Sequence, residues 1–381
     1  MKILHVIGSM SVHDGGPTQA VRDMARAVAD LGHEVWIYST DAARHGEPAH
    51  PLGVDVECGK ARIRYFANAH PRPWLRSPAL NQALTETIPG CDLVVIHSLY
   101  HYHSWRAAAL SRRFSVPYVI RPHGTLDPFI WRRRRWLKIF FEYWFQNRDL
   151  RAAAALHYTT EQERELARPY VRGSDGFVVP LGVWPRDMPK AAEGAGDGAR
   201  GDSLLYLGRL HPKKGIDLLV RAFARLAPDQ PELRLTIAGS GSPAYTGELR
   251  RLVHELGLRG RVDFHGYVQG VEKDELLSRA AFFVLPSHSE NFGIAVVEAM
   301  AAGLPVLISD DVNLCAAVRE AGAGWVCAAA LDELTTTLRQ ALAEREQWQA
   351  IGARGRNLVE RCYSWEVIAP RLASEYRKIV T

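Results

Sequence analysis

The chain has 381 residues, of which 47% are apolar and 23% are charged, and this composition is typical of a soluble globular enzyme. A chain of this length exceeds what a single hydrophobic core usually supports, so two domains are expected. The mild net charge of +5 fits a phosphorylated ligand or an anionic surface, and it does not require nucleic acid as a partner.

The first half of the chain alternates short apolar runs with helical patterns. Residues 3–7 form an apolar run that predicts a strand, and residues 18–31 carry apolar side chains at a helical period of about 3.6. Further buried strands are predicted at residues 34–38, 93–97, 118–121 and 176–179. This alternation of strands and helices predicts an α/β fold with a parallel, doubly wound sheet.

The same rhythm restarts after a segment rich in glycine and alanine, which we interpret as a linker at residues 188–202. Strands are predicted at 203–207, 233–238, 262–265, 281–286 and 304–308, and helices at 217–226, 247–256 and 294–302. The sequence therefore predicts an N-terminal domain at 1–187 and a C-terminal domain at 203–365. Because domain interfaces favour ligand sites, a binding cleft is expected between them.

The five cysteines are scattered along the chain and form no Cys-x-x-Cys pair. An odd, dispersed set favours a reducing compartment and argues against a zinc site. No stretch approaches the roughly 20 apolar residues of a membrane-spanning helix. We therefore expect a cytoplasmic protein.

Two glutamates stand out because of where the predicted elements place them. Glu290 lies beyond the carboxyl end of strand 281–286, and Glu298 lies inside the helix that follows. Ligands bind at this edge of open α/β sheets, and free amides at the junction Asn291-Phe292-Gly293 would suit a phosphate. Two carboxylates beside a phosphate site suit a nucleotide sugar, and the alternative is a surface loop with a solvated helical glutamate.

The first strand-to-helix turn of the second domain is basic. Arg209 and Lys214 follow strand 203–207, so they face the same edge of the sheet as Glu290. Arginine can grip a diphosphate through two parallel hydrogen bonds, and lysine adds a compact charge. The turn is neither a Walker A loop nor a dinucleotide fingerprint, which disfavours an oxidoreductase. The alternative is a solvated basic turn.

Two features of the first domain point to the corresponding edge of its sheet. Gly15 and Gly16 follow the first strand and lead into a helix, so the backbone there can approach a phosphate or sugar closely. His123 follows strand 118–121. The alternatives are common turn chemistry for the glycines and a capped loop residue for the histidine.

Together these residues resemble glycosyltransferase family 4, the retaining nucleotide-sugar enzymes of the GT-B fold. The resemblance covers nearly the whole chain, and the motifs occur in the family's order: Gly15-Gly16, His123-Gly124, Gly208-Arg209 with Lys214-Gly215, Glu290-x7-Glu298, and Tyr363-Ser364-Trp365. It implies two Rossmann-like doubly wound domains facing across a cleft. The first would be the acceptor side, the second would hold the donor, and a C-terminal helix at 366–381 would pack back on the first.

The resemblance also implies a role for each matching residue. Glu298 would hold the ribose hydroxyls, and Glu290 with nearby amides would hold the donor sugar. Arg209 and Lys214 would neutralise the leaving diphosphate, and His123 would face the transferred sugar. The expected catalytic residues are Arg209, Lys214, Glu290 and His123. The expected donor-binding residues are Gly15, Gly16, Arg209, Lys214, Glu290, Asn291, Phe292, Gly293, Ile294 and Glu298, and Asp127 is expected on the acceptor side.

No cofactor and no metal are expected. Departure of a nucleoside diphosphate builds negative charge, which fixed cations and a helix N-terminus can stabilise. The family that this sequence resembles works without a metal. The sequence also lacks the Asp-x-Asp motif of metal-dependent glycosyltransferases, and its closest match is Asp-Val-Glu at residues 55–57. A glycosidase would also use two carboxylates, but it needs one kept protonated, and nothing in the sequence marks Glu290 or Glu298 that way.

A basic aromatic stretch at residues 129–145 concerns the acceptor. It carries four consecutive arginines between tryptophans: Trp131, Arg132, Arg133, Arg134, Arg135 and Trp136. Such a helix can lie on an anionic membrane surface. The alternatives are a core helix with a basic start and a nucleic-acid patch, which no other signal supports.

These observations predict a cytoplasmic, retaining hexosyltransferase, peripheral to the inner face of the cytoplasmic membrane. The predicted reaction moves a sugar from a nucleotide-diphosphate sugar to a lipid-linked saccharide in the synthesis of exopolysaccharide, capsule or lipopolysaccharide. The alternatives are transfer to a small soluble acceptor and a non-catalytic nucleotide-sugar-binding protein. The nucleotide base, the sugar and the acceptor are left open.

Overall fold

The computed structural model describes residues 1–11, 16–42, 51–69, 74–126, 145–171, 176–185 and 202–381. The described residues form two α/β units. Unit 1 comprises Met1–Gly182 with Trp365–Thr381, and unit 2 comprises Val183–Ser364. The chain thus enters unit 2 at residue 183, whereas the sequence analysis placed the end of the first domain at residue 187.

Unit 1 is built on an eight-stranded sheet with the order β3-β4-β2-β1-β5-β6-β7-β8. Its strands are β1 (Lys2–Ser9), β2 (Glu34–Thr40), β3 (Asp55–Cys58), β4 (Ala61–Phe66), β5 (Leu93–His97), β6 (Tyr118–Arg121), β7 (Ala155–Tyr158) and β8 (Gly176–Val178). Neighbouring strands are parallel except for the antiparallel pair β3 and β4. The chain winds from β1 to β2 on one side and later to β5 on the other, so the switch point of this sheet lies between β1 and β5.

Helices cover the sheet of unit 1 and explain why its central strands are largely apolar. The helices are α1 (Gly16–Asp30), α2 (Pro78–Thr87), α3 (Tyr102–Arg113), α4 (Asn147–Arg151) and α5 (Glu161–Ala167). Strands β1 and β5 are buried along nearly their whole length, as expected for parallel strands covered on both faces. Helix α1 buries Val21, Met24 and Val28, one turn apart, against this sheet.

Unit 2 contains a six-stranded, fully parallel sheet with the order β11-β10-β9-β12-β13-β14. Its strands are β9 (Ser203–Leu207), β10 (Arg234–Ala238), β11 (Val262–Gly266), β12 (Phe282–Leu285), β13 (Val306–Ser309) and β14 (Gly324–Cys327). Its helices are α6 (Ile216–Leu226), α7 (Pro243–Glu255), α8 (Val271–Arg279), α9 (Ile294–Ala301), α10 (Cys315–Ala321), α11 (Leu331–Ala343) and α12 (Trp348–Cys362). Its switch point lies between β9 and β12. The predicted pair of parallel, doubly wound sheets is confirmed.

The last helix, α13 (Trp365–Val380), belongs to unit 1 although it follows unit 2 in the chain. Its residues Leu372 and Tyr376 are fully buried. The Tyr376 hydroxyl donates to the Met24 sulfur of α1 at 3.7 Å. Residues from the two ends of the chain therefore share the core of unit 1.

Candidate active site

The loops that follow β9 and β12 lie side by side at the switch point of unit 2. The carbonyl oxygen of Lys213 accepts hydrogen bonds from the Ser287 hydroxyl at 3.0 Å and from the His288 amide at 2.8 Å. Gly215 has a φ of +64°, and a Cβ there would lie 2.0 Å from the carbonyl oxygen of Pro286. Only glycine permits this approach, so Gly215 sets the distance between the two loops.

This approach brings Lys214 and Glu290 into direct contact. Their side chains form an ion pair in which the lysine is 13% exposed and the glutamate 16%. Burial, with Lys213 and Arg209 nearby, lowers the pKa of Lys214 well below its ordinary value. The carboxylate of Glu290 acts in the opposite direction and favours the charged ammonium. Two motifs that are far apart in the sequence therefore form one charged site.

Arg209 completes the basic side of this site. Its side chain is exposed, and it lies close enough to Lys214 to affect the pKa of that lysine. Its carbonyl oxygen accepts a hydrogen bond from the buried Tyr206 hydroxyl at 3.0 Å, which fixes the main chain of the turn. Three of the four predicted catalytic residues, Arg209, Lys214 and Glu290, are thus together in unit 2.

The loop between β12 and α9 is held by the loop that follows β13. The Glu290 amide donates to the Asp311 carbonyl at 3.0 Å, and the Asn313 amide donates to the Glu290 carbonyl at 3.1 Å. The Asn313 side chain donates to the Asn291 carbonyl at 2.9 Å. These bonds fix the Glu290 main chain, while the ion pair with Lys214 fixes its carboxylate.

The N-terminus of α9 opens at this loop. Gly293 caps the helix with a φ of +84° and supplies no side-chain hydrogen bond. Among the described residues, the amides of Phe292, Gly293 and Ile294 donate to no acceptor. Amides at the start of a helix are suited to phosphate or to hydroxyl oxygens. The buried Phe292 ring packs edge-on against the Tyr363 ring, with 5.9 Å between the ring centroids. This contact anchors the loop that carries the three amides.

Glu298 has a partner that the sequence analysis missed. Lys273 of α8 reaches the Glu298 carboxylate at 2.8 Å, with the two side chains 21% and 11% exposed. No local pattern could have found this pair, because the residues lie on different helices. Glu298 is therefore a buried, paired carboxylate, whereas the sequence alone left open a solvated one.

A second missed feature is the pair of glycines that follows β10. A Cβ on Gly239 would lie 1.8 Å from the Gly208 carbonyl oxygen, and one on Gly241 would lie 2.3 Å from that of Leu210. The Leu210 amide donates to the Ser240 carbonyl at 2.8 Å. These glycines let the loop after β10 pack closely against the basic turn and support it. Two glycines directly after a predicted strand were the sequence pattern that could have indicated this contact.

In unit 1, His123 stands at the carboxyl edge of the sheet in a tight turn. Its φ is +53°, uncommon for a residue other than glycine, and Gly124 follows with +72°. The Gly124 amide donates to the Glu163 carboxylate at 3.1 Å, and the Thr159 amide and hydroxyl each donate to it at 2.7 Å. This buried glutamate fixes the turn that carries His123.

The remaining predicted site residues are placed only in part. Gly16 is the first residue of α1, with open space where a Cβ would stand. Gly15, Asp127 and the stretch 131–136 lie outside the described residues. Within the described ranges, no group of three or more histidine, cysteine, aspartate or glutamate residues is arranged to hold a metal ion. None of the helices in those ranges is both long and apolar enough to cross a bilayer.

Two family descriptions match the two units in turn. A glycosyl transferase 4-like domain matches residues 15–182, and the family called glycosyl transferases group 1 matches residues 198–358. Mannosylfructose-phosphate synthase of Agrobacterium fabrum is 31% identical over 94% of this chain and 85% of that protein. The chain belongs to glycosyltransferase family 4. A GDP-mannose:cellobiosyl-diphosphopolyprenol alpha-mannosyltransferase of Xanthomonas campestris is 29% identical over 99% of this chain and 96% of that protein.

Solved structures agree on the GT-B fold of this glycosyltransferase. Sucrose-phosphate synthase from Thermosynechococcus elongatus superposes with a TM-score of 0.79 at 22% identity, covering 100% of this chain and 99% of that one. An Anabaena protein in complex with UDP and glucose gives a TM-score of 0.75 at 18% identity, covering 99% of this chain and 100% of that one. At these identities the likeness concerns the fold.

Proposed function

We propose that this glycosyltransferase moves a hexose from a nucleoside-diphosphate sugar to a lipid-linked saccharide in surface-polysaccharide synthesis, with retention at the anomeric carbon. The observation that carries the donor half is the Lys214–Glu290 ion pair beside Arg209, next to the open amides of α9. Fixed cations and oriented amides suit a leaving diphosphate, since they stabilise charge without having to reorganise.

Each residue of this site has a proposed task. Arg209 and Lys214 offset the charge that develops on the diphosphate as the glycosidic bond breaks. Glu290 and the amides that follow it hold hydroxyls of the donor sugar, and Glu298 holds the ribose. Lys273 is a positioning residue, because its contact at 2.8 Å orients the Glu298 carboxylate.

The proposed mechanism uses no metal ion. The two basic side chains supply the positive charge that a divalent ion supplies in metal-assisted transfer. Transfer should therefore persist in excess EDTA. Loss of activity on chelation, with recovery on addition of Mg²⁺ or Mn²⁺, would contradict this part of the proposal.

The acceptor half of the proposal is supported by the relative from Xanthomonas campestris. That protein is named for a diphosphopolyprenol-linked disaccharide acceptor, and the similarity spans 99% of this chain. A second candidate is a small phosphorylated sugar, because the relative from Agrobacterium fabrum is named as a mannosylfructose-phosphate synthase. The two candidates differ in whether the acceptor carries a lipid.

A two-step experiment tests the proposal. Thermal stabilisation by GDP-mannose, UDP-glucose and ADP-glucose first identifies the donor. Transfer from that donor is then measured to a polyprenyl-diphosphate-linked disaccharide and to sugar phosphates such as fructose 6-phosphate. We expect transfer to the lipid-linked acceptor, with a product whose anomeric configuration, read by NMR, matches the donor. Transfer only to the sugar phosphates would select the second candidate, and an inverted anomer would contradict retention.

The proposal also places this protein on the cytoplasmic face of a membrane, through the arginines at 132–135 in the stretch outside the described residues. Each basic residue near an anionic bilayer contributes about 1 kcal/mol, and salt screens this attraction. Co-sedimentation with anionic vesicles should fall in high salt and on replacing all four arginines by glutamine. Unchanged sedimentation of that variant would contradict the membrane role.

A further inference from the structure

Three histidines of unit 1 form a chain of ring-to-ring hydrogen bonds. The Nδ1 atom of His5 lies 2.9 Å from the Nε2 atom of His97, and the Nδ1 atom of His97 lies 2.9 Å from the Nε2 atom of His123. His5 and His97 are fully buried, and His123 at the end of the chain is half-buried. The chain therefore runs from the core of unit 1 to the accessible edge of its sheet.

All three rings are neutral at pH 7, so each carries a single hydrogen. Burial, with the nearby Arg121 guanidinium, lowers the pKa of His5 to about 3. Burial and neighbouring cationic or imidazole groups hold the pKa values of His97 and His123 well below the ordinary value. With one hydrogen per ring, the chain has only two self-consistent arrangements, in which every hydrogen sits on Nδ1 or every hydrogen sits on Nε2.

The buried end of the chain discriminates between these arrangements. The Nε2 atom of His5 is buried and has no hydrogen-bond partner among the described residues. With the hydrogens on Nε2, this atom would be an unpartnered N–H donor. With the hydrogens on Nδ1, it is a bare nitrogen whose lone pair lies in the field of Arg121. A cation favours the lone pair over another N–H, and the two unpartnered donor nitrogens of Arg121 already place excess donors in this core.

Two neighbouring buried histidines follow the same rule. The Nε2 atom of His103 lies 2.9 Å from the His97 carbonyl oxygen, and that of His157 lies 2.8 Å from the Val179 carbonyl oxygen. A carbonyl only accepts, so both rings carry their hydrogen on Nε2. Their Nδ1 atoms, which lack partners among the described residues, are therefore bare nitrogens. In both of these fully buried rings, the unpartnered atom carries no hydrogen.

We propose that His5 and His97 are positioning residues that fix His123 as the Nδ1–H tautomer, so that His123 presents a hydrogen-bond donor to an oxygen of the bound ligand. Among the described residues, Nδ1 of His123 has no partner. The identity of that ligand as the transferred sugar rests on the proposed function, and the tautomer does not. His97 supplies the bond that fixes His123, and His5 supplies the bond that fixes His97.

Nitrogen NMR of the ¹⁵N-histidine-labelled protein tests the tautomers without any substrate, because two-bond ¹H–¹⁵N correlations distinguish the two forms. We expect Nδ1–H at His5, His97 and His123. In His5→Leu, where His97 loses its donor, His123 should shift to a mixture of tautomers or to Nε2–H. In His5→Asn, whose amide can donate from nearly the same position, His123 should stay Nδ1–H. Nε2–H at His123 in the wild type, or an unchanged His123 in His5→Leu, would overturn the proposal.

His157→Gln is the matched control. It removes an equally buried imidazole that is not part of the His5–His97–His123 chain, and the glutamine side-chain amide can still donate to the Val179 carbonyl. It should leave the His123 tautomer unchanged. If His5→Leu does not fold, the wild-type spectrum and His5→Asn still decide the outcome.

A binding arm separates this inference from the proposed function. His5→Leu should lower the affinity for GDP-mannose or UDP-glucose by about five-fold, which is the effect of losing roughly one hydrogen bond. It should leave the affinity for free GDP or UDP unchanged. His123→Ala with wild-type affinity for both sugar nucleotides would contradict the sugar-facing role that the family resemblance implies for His123. If that result came together with Nδ1–H at His5, His97 and His123, the positioning role of His5 and His97 would stand. The ligand of His123 would then be something other than the transferred sugar.

Discussion

At the scale of single residues, the charges of the unit 2 site are balanced in pairs. Lys214 contacts Glu290, and Lys273 contacts Glu298, so each carboxylate is oriented by a lysine from a different element. Carboxylate oxygens accept hydrogen bonds from hydroxyl groups, as the proposed task for both glutamates requires.

Removing either basic residue should reduce catalysis. Arg209→Ala and Lys214→Ala should each lower kcat/KM by about 2–4 kcal/mol of transition-state stabilisation, the range for removing one preorganised charge partner. The measurement is steady-state transfer with the donor found by thermal stabilisation. Arg225→Ala is the control, because it removes an exposed arginine of α6 that pairs with Asp332. Activity within about three-fold of wild type in both site variants would exclude these residues from the mechanism.

The same two variants should differ in stability. Lys214→Ala leaves the Glu290 carboxylate without its partner in a mostly buried position, which costs about 1–3 kcal/mol. Arg209 is exposed, so its removal should change the free energy of unfolding little. The burial of the ion pair is the reason to expect a stability loss for Lys214→Ala and little change for Arg209→Ala.

The two glutamates should separate by ligand. Glu298→Gln should weaken the binding of a free nucleoside diphosphate and of the nucleotide sugar alike, because both carry the ribose. Glu290→Gln should weaken mainly the nucleotide sugar. Lys273→Met should follow the Glu298 pattern, since it acts through that carboxylate. Titration calorimetry with the two ligands measures this, and equal losses for both ligands in all three variants would contradict the division of tasks.

At the scale of elements, the position of the site follows from sheet topology and a few close main-chain contacts. The loops after β9 and β12 meet because these strands are neighbours at the switch point, although helices and two further strands separate them in sequence. Gly215 allows the loops to touch, and Gly239 allows the loop after β10 to support them. The geometry of the charged pair therefore depends on glycines that carry no chemistry.

Gly215→Ala should disturb both stability and activity. Its left-handed backbone costs about 1–2 kcal/mol for alanine, and the Cβ would also clash with the Pro286 carbonyl oxygen at 2.0 Å. Gly257→Ala is a matched control, because Gly257 has a similar φ of +68° with open space around the Cβ position. Urea unfolding should show a larger loss for Gly215→Ala, together with reduced kcat/KM. Equal losses in the two variants would show that the loops absorb the clash.

Sequence patterns predicted most strands of both sheets but missed β3, β4, β7 and β14. Strands β5 and β12 are buried on both faces, so continuous apolar runs identified them. Strand β3 was missed because its residues are half-exposed or exposed and two of its four are acidic. Helix α7 begins at Pro243, where the Ser242 hydroxyl caps the Tyr245 amide, four residues before the predicted start at 247. A Ser-Pro start signal was present and was outweighed by the apolar period further on.

At the scale of the whole molecule, the two units differ in how their polar groups are buried. Unit 1 buries neutral imidazoles around Arg121, whose own burial lowers its pKa to about 10. Unit 2 places its charged groups in ion pairs at the switch point. Acid should therefore act first on unit 1.

Stability should fall as the pH is lowered from 7 to 5.5. Among the described residues, six histidines have lowered pKa values: His5, His33, His97, His103, His123 and His157. Below their ordinary pKa near 6.5 the unfolded chain binds protons that the folded chain refuses, so each contributes a loss of up to about 1.4 kcal/mol per pH unit. Asp149 opposes this, because burial raises its pKa to about 6 and the folded state takes up a proton there. The net loss should be on the order of 4 kcal/mol.

Urea unfolding at the two pH values, combined with hydrogen exchange to assign the loss to unit 1, checks this expectation. In His157→Gln one titrating group is removed, so the loss between pH 7 and 5.5 should shrink by about 1 kcal/mol. A free energy of unfolding that does not change across this range would show that the buried histidines are protonated in the folded state.

The sequence by itself determined the two doubly wound units, the family and the residues of the basic turn and the Glu290 loop. These follow from local information, namely the period of apolar residues and the order of short motifs along the chain. The tertiary structure decided which of these residues touch: Lys214 with Glu290, Lys273 with Glu298, and the imidazole chain from His5 to His123. Such contacts join residues far apart in sequence through sheet order and close loop packing, and a period or a motif carries no record of either.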